Sequence, residues 1–229
     1  MSNTINKRVY YLHIPKTGGN WVRSVLRNSN VDLNKTNKFN KHANYDFLAG
    51  LSSKSLMSSS FNEDIKFFCV IRHPLLWYQS WYKYQNDNGW KFWGEKGILQ
   101  KEKWHCLSPL NMSRPKSFND FMRIVNQTSP GFLTYLYHSF ILPSGARILK
   151  NENLRDDLLH LNKDWSLGLN ERFILHSKKV NVSTKTEISW SEENLTNTMQ
   201  NESAIIKMYG YKEEPISIIN LSNTENKIV

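Results

Sequence analysis

The chain has 229 residues, 39% hydrophobic and 22% charged, with 30 basic against 20 acidic side chains and a net charge of +10. This composition suits a single globular domain with a sizeable core rather than a disordered chain, and the basic excess points to an anionic partner: nucleotide, acidic or sulfated glycan, membrane surface or nucleic acid. Met1 to Lys7 is polar, no run has the length of a membrane span, and Cys69 and Cys106 are the only cysteines. The expectation is therefore a cytoplasmic protein without a signal peptide, a membrane span or a disulfide framework.

The predicted elements alternate strand and helix. Val9-Tyr10-Tyr11-Leu12 is rich in β-formers and reads as a buried strand; Trp21, Val22, Val25 and Leu26 then recur at helical spacing, with Arg23 and Arg27 on another face. Asn28 to His42 is polar, Asn44 to Leu51 reads as a short helix, and Ser52 to Ser60 as a serine-rich loop. Ile65 to Ile71 is the most apolar run in the chain and reads as a central parallel strand, followed by a helix opening at Pro74. Gly89 to Pro115 is an irregular, tryptophan-bearing insertion, read first as a loop packed on its own aromatics. Ser117 opens a helix to about Gln127 through a capping-box pattern, and a further helix covers Phe132 to Phe140. Ala146 to Lys150 is a third strand, with a helix after it to about Leu161; Ser191 caps a helix ending at Gly210. The alternation predicts an α/β fold in one domain over residues 1–229, with residues 1–7 and about 215–229 as flexible tails.

The stretch between the first strand and the first helix carries the chemistry. His13-Ile14-Pro15-Lys16-Thr17-Gly18-Gly19-Asn20-Trp21 is a glycine-bearing loop leading into a helix N-terminus. The first amides of a helix have no internal partners and favour an anion, glycines let the backbone curl close to it, and Lys16 adds a full charge. The order is not that of a Walker A loop, where lysine follows the second glycine and a Ser or Thr holds magnesium. Alone, the pattern is equally compatible with a junction that needs glycine for its geometry. A second anchor lies at the end of the central strand, where Arg72-His73-Pro74 again puts a basic residue at a strand's carboxyl end, the usual ligand edge of an open α/β sheet.

The two sites together resemble the sulfotransferases that use 3′-phosphoadenosine 5′-phosphosulfate. Ile14-Pro15-Lys16-Thr17-Gly18-Gly19 is similar to their 5′-phosphosulfate loop, and Arg72 with Ser80 to their 3′-phosphate site. Lys41-His42-Ala43, Pro130 to Thr134, Lys150 to Leu154, Asn181-Val182-Ser183 and Tyr209-Gly210-Tyr211 resemble segments of bacterial and glycan-modifying members. His73 departs from their usual Asn or Asp, and Asn20 from their Thr or Ser. The resemblance implies a three-layer, P-loop-NTPase-like fold, its central, mainly parallel sheet flanked by helices. It also implies sulfuryl transfer from that donor to an acceptor hydroxyl, on a carbohydrate or a small hydroxyl compound. It implies roles as well. Lys16 stabilises the leaving phosphate's bridging oxygen; the amides of Thr17, Gly18, Gly19 and Asn20, with the Thr17 hydroxyl, hold the 5′-phosphate; Trp21 stacks on adenine. Arg72 and Ser80 hold the 3′-phosphate, Ser183 and Lys185 close over the nucleotide, and His42 is the general base, with Glu152, His105 and Glu95 in reserve. No metal is expected.

Rival readings make separate predictions. A P-loop kinase or NTPase needs Walker A order and an aspartate ending the central strand, where Arg72 stands instead. A nucleic-acid-binding protein needs a dense basic stripe, whereas acidic residues are scattered among the bases here. A non-catalytic relic would bind the nucleotide and turn nothing over.

Overall fold

A computed structural model gives the fold and describes residues 9–29, 66–90, 110, 114–141, 146–178 and 188–212. The chain divides into two compact units, each of two stretches: Met1–Arg72 with Tyr137–Val182, and His73–Leu136 with Ser183–Val229. In chain order the described elements begin with β1 (Val9–Leu12), α1 (Gly19–Asn28), β2 (Lys66–Ile71), α2 (Pro74–Asp87), α3 (Phe118–Thr128) and α4 (Phe132–Ile141). They continue with β3 (Arg147–Lys150), a 3-10 turn (Asn151–Asn153), α5 (Leu154–Trp165), α6 (Glu171–His176), α7 (Glu192–Asn201) and α8 (Ser203–Met208). Among the described residues this is a mixed α/β architecture with a small three-stranded parallel sheet.

The first unit holds the sheet. β2 lies between β1 and β3 and runs parallel to both, with Tyr11 beside Phe68 and Val70 beside Leu149. Side chains alternate across a strand, so Tyr11, Phe68, Val70 and Leu149 share one face. Trp21, Val22, Val25 and Leu26 of α1, Leu154, Leu158 and Leu161 of α5, and Ile174 of α6 bury against that face. Each large apolar side chain buried this way contributes about 1.5–3 kcal/mol. The other face carries Leu12, Cys69 and Ile71, all buried. α5 runs one turn beyond the expected Leu161. Asn162 supports that last turn, accepting from Leu169 N–H at 2.8 Å and donating to Glu171 at 3.0 Å, and Trp165 packs edge-on against Phe68. α6 had no counterpart among the expected elements; Asn170 caps it by accepting from Phe173 N–H at 3.0 Å.

The second unit is helical, and its core is aromatic. Trp77, Tyr78, Trp81 and Tyr82 of α2 pack with Phe118 and Phe121 of α3, and Trp90 joins them against Tyr82 and Phe121. Ser117 accepts from Asp120 N–H at 3.1 Å as expected of a cap, while Asp120 reaches back to Lys116 N–H at 2.9 Å, one residue further than a strict capping box. The helix expected from Ser191 to Gly210 is two helices broken at Glu202. The carboxylate of Glu202, 1% exposed, accepts from Leu133 N–H (3.0 Å), Thr134 N–H (2.8 Å), the Thr134 hydroxyl (2.7 Å) and the Tyr78 hydroxyl (2.6 Å). It caps the N-terminus of α4, and its backbone (φ −101°, ψ 11°) departs from helical values at that point.

The expected helix at Asn44–Leu51, the loop at Ser52–Ser60, most of the Gly89–Pro115 insertion and both tails lie outside the described residues. No helix among the described residues is long and apolar enough to cross a membrane.

Candidate functional site

β1 ends at Leu12, and the chain turns through His13–Gly18 into α1. Two residues of that turn have positive φ: Lys16 at 65° and Gly18 at 92°. For lysine the left-handed region is strained, at about 1–2 kcal/mol, and persists because its surroundings hold it. Gly18 is the residue before the helix, and its carbonyl accepts from Trp21 N–H (3.0 Å) and Val22 N–H (3.3 Å). The amides of Gly19 and Asn20 lie upstream of those first intrahelical bonds, as the opening donors of a helix do. Gly19 has no room for a side chain unless its neighbours shift: a β-carbon there would stand 2.0 Å from His13 Nε2 and 2.7 Å from the Tyr11 hydroxyl.

The carboxyl ends of the other two strands meet this loop. Arg72, the first residue past β2, places Nη1 3.5 Å from the Lys16 carbonyl. Its backbone is fixed by the buried Tyr137, whose hydroxyl accepts from Arg72 N–H at 2.9 Å and donates to Arg72 C=O at 2.7 Å. Asn151, the first residue past β3, donates its side-chain amide to the Thr17 carbonyl at 3.0 Å and lies against Gly18. Only the nitrogen of that amide can meet a carbonyl, which fixes its orientation. Neither Asn151 nor Tyr137 was among the expected site residues. Asn151 has the same sequence signal as Arg72, a polar residue immediately after a parallel strand; Tyr137 has none.

The structure therefore gathers Lys16, Thr17, Gly18, Gly19, Asn20 and Arg72 at one edge of the sheet, and it revises two expected roles. The Thr17 hydroxyl does not face outward: it donates to the Ile14 carbonyl at 2.9 Å and is fully buried, so it closes the turn and only its amide is left for an anion. Trp21 is not an open platform. It is 4% exposed, its indole N–H donates to the Ser177 hydroxyl at 2.9 Å, and the Arg155 guanidinium lies over its ring at 5.3 Å. That guanidinium is itself held by the carbonyls of Ile174, Leu175 and Ser177 at the end of α6. Ser80 stands half-buried on α2, in the second unit. Glu152 is exposed in the turn after β3. His42, Glu95, His105, Ser183 and Lys185 lie outside the described residues.

His73 caps α2 with its side chain. Its Nδ1 accepts from Leu75 N–H at 3.3 Å, so Nε2 carries the proton and donates to the Lys212 carbonyl at 3.0 Å. Beneath the loop, burial pushes the Tyr11 hydroxyl well above its usual pKa, with Cys69 adding to the shift. Burial also pushes the Cys69 thiol up to about 12, which makes it an inert core residue. Arg23, on the half-buried flank of α1, has a lowered pKa, through burial and then through Arg27 one turn on.

The groups placed at the loop are donors and cations: its own backbone amides, the Arg72 guanidinium and the Asn151 amide, with Lys16 itself in the turn. Such a set fits a phosphate- or sulfate-type oxyanion. Set against models of protein families, curated proteins and solved structures, the chain matches none.

Proposed function

We propose that the chain is a cytoplasmic sulfotransferase that takes a sulfuryl group from 3′-phosphoadenosine 5′-phosphosulfate and passes it to an acceptor hydroxyl on a carbohydrate. One observation carries the reading. Two candidate anion sites, read separately in the sequence, one after each of two strands, lie together, with Arg72 Nη1 3.5 Å from the Lys16 carbonyl.

In this reading the donor supplies an activated sulfuryl group on a phosphate leaving group, and the protein's own residues do the rest. The amides of Thr17 to Asn20 hold the 5′-phosphate, and Lys16 stands where negative charge grows on the bridging oxygen, so it stabilises the transition state more than the ground state. Arg72, with five N–H donors in a rigid fork, can bind the 3′-phosphate while keeping its contact with Lys16. His42 takes the acceptor's proton. Trp21 serves this site by anchoring α1 in the core.

Calorimetric titration with 3′-phosphoadenosine 5′-phosphate, beside ATP with magnesium, tests the reading. Binding that ATP does not match and that Lys16→Ala and Arg72→Ala each weaken at least tenfold supports it. A preference for ATP with magnesium returns the loop to the kinase class. Binding without turnover of any hydroxyl acceptor makes the protein a nucleotide binder.

A further inference from the structure

The carbonyl and N–H of one trans peptide plane point in opposite directions. Pinning a carbonyl therefore aims the amide of the next residue the other way. In the loop both central planes are pinned. The Lys16 carbonyl faces Arg72 Nη1 at 3.5 Å, which aims the Thr17 amide away from Arg72. The Thr17 carbonyl takes the Asn151 side-chain amide at 3.0 Å, which aims the Gly18 amide away from Asn151. The second contact is the shorter, and it is braced. Asn151 opens the rigid turn between β3 and α5, and its Nδ2 would lie 2.6 Å from a β-carbon on Gly18, with Leu154 Cδ2 at 3.1 Å on the same side. Asn151 thus sits in the space that glycine leaves at position 18, where φ is 92° and a side chain would be strained in any case.

We infer that Asn151 is a positioning residue for anion recognition: by holding the Thr17 carbonyl it keeps the Gly18 amide turned toward the bound phosphate. It touches no ligand atom in this scheme and acts through the backbone of residues 17 and 18. The inference rests on the reading of the loop as an anion site, and it goes further by naming which phosphate depends on Asn151. The 5′-phosphate, held by loop amides, depends on it. The 3′-phosphate, held by Arg72, does not.

The test uses the full chain, as wild type, Asn151→Ala and Asn151→Asp, with thermal melts to establish that each variant folds. The aspartate keeps the shape of the asparagine but cannot donate, and its added charge weakens binding of every anion, so it is read as the ratio of bisphosphate to 3′-monophosphate affinity, even where the alanine variant fails to fold. Each protein is titrated with adenosine 3′,5′-bisphosphate, adenosine 3′-monophosphate and inorganic sulfate. One lost hydrogen bond of this kind corresponds to roughly a tenfold loss of affinity. The expected result in Asn151→Ala is that loss for the bisphosphate and for sulfate, with affinity for the 3′-monophosphate unchanged, and in Asn151→Asp a larger loss for the bisphosphate than for the 3′-monophosphate. Equal losses for both nucleotides, or none for the bisphosphate, overturn the inference, since a merely structural role weakens both alike. Wild-type binding of sulfate without either nucleotide refutes the nucleotide reading and leaves Asn151 to be judged on sulfate: a tenfold loss supports it, and unchanged affinity overturns it. A wild type that binds none of the three overturns both.

Discussion

Replacing Gly19 with alanine tests whether the loop is packed as tightly as its geometry implies. The new β-carbon would stand 2.0 Å from His13 Nε2 and 2.1 Å from Cδ2, against ordinary contacts that begin at 3.4 Å. The ring must retreat by about 1.4 Å or the helix must lift, and neither is free to do so. His13 is 4% exposed, its ring stacks on Tyr11 at 5.6 Å, and Tyr11 stacks on Phe68 of the central strand at 4.9 Å. Overpacking of this kind costs about 1–3 kcal/mol, of which alanine's better helix propensity offsets up to about 1 kcal/mol. The expected net loss is about 1–2 kcal/mol. It would be read as a lower urea midpoint at unchanged slope, with weaker binding of 3′-phosphoadenosine 5′-phosphate because the loop has moved. His13→Ala removes the nearer obstacle and leaves the Tyr11 hydroxyl at 2.7 Å, so Gly19→Ala should cost less in that background, a coupling of about 1 kcal/mol or more. Wild-type stability in Gly19→Ala, or the same cost with and without His13, refutes the steric account.

Glu202→Ala should destabilise by about 3–5 kcal/mol, because it strands two buried amides and two hydroxyls at the start of α4, while Glu202→Gln should cost less; a loss below about 1 kcal/mol for the alanine in urea unfolding would contradict the capping role. Tyr137→Phe removes both hydrogen bonds to the Arg72 backbone and should cost about 1–3 kcal/mol, with a parallel fall in nucleotide affinity measured by calorimetry; unchanged affinity would detach Tyr137 from the site. Stability should fall as pH rises above about 9, since the unfolded chain then releases the Cys69 proton while burial keeps the folded thiol protonated up to about 12. Tyr11, also raised by burial, acts with the same sign at higher pH. Cys69→Ala should flatten the alkaline slope by up to about 1.4 kcal/mol per pH unit in urea unfolding at pH 9 to 11, and an identical slope would show that the thiol is not held protonated.

The sequence made legible what is periodic. A run of β-formers and a helical stripe of apolar residues mark β1 and α1, the most apolar run marks β2 as the central strand, and the glycines and Lys16 mark the loop between them. These features are local, so a window of a dozen residues contains their cause. What the sequence hid depends on distant partners. Nothing near Glu202 breaks a helix, because the cause lies at Leu133, Thr134 and Tyr78. The Thr17 hydroxyl has the right chemistry to face an anion, yet it donates its hydrogen bond to the Ile14 carbonyl within the turn. Trp21 has the right chemistry to stack on a base, yet its position on α1 turns it toward Ser177 and Arg155. In each case residue type suggested the role, and three-dimensional packing decided it.

Asn151 marks how far the sequence can be pushed. Parallel strands in one sheet present their carboxyl ends at one edge, so the residue following each strand is a site candidate before any side chain is placed. Applied to β1 and β2, the rule selects the loop and Arg72. Applied to β3 it selects Asn151, whose side chain holds the Thr17 carbonyl. What hides that residue is its chemistry, since a neutral amide among strongly basic neighbours does not suggest an anion site. An anion loop of the proposed kind needs groups in two roles: cations and amides that face the ligand, and donors that hold the loop's carbonyls turned the other way. The first kind is visible in charge and spacing. The second becomes visible only when each peptide plane is asked where its oxygen points.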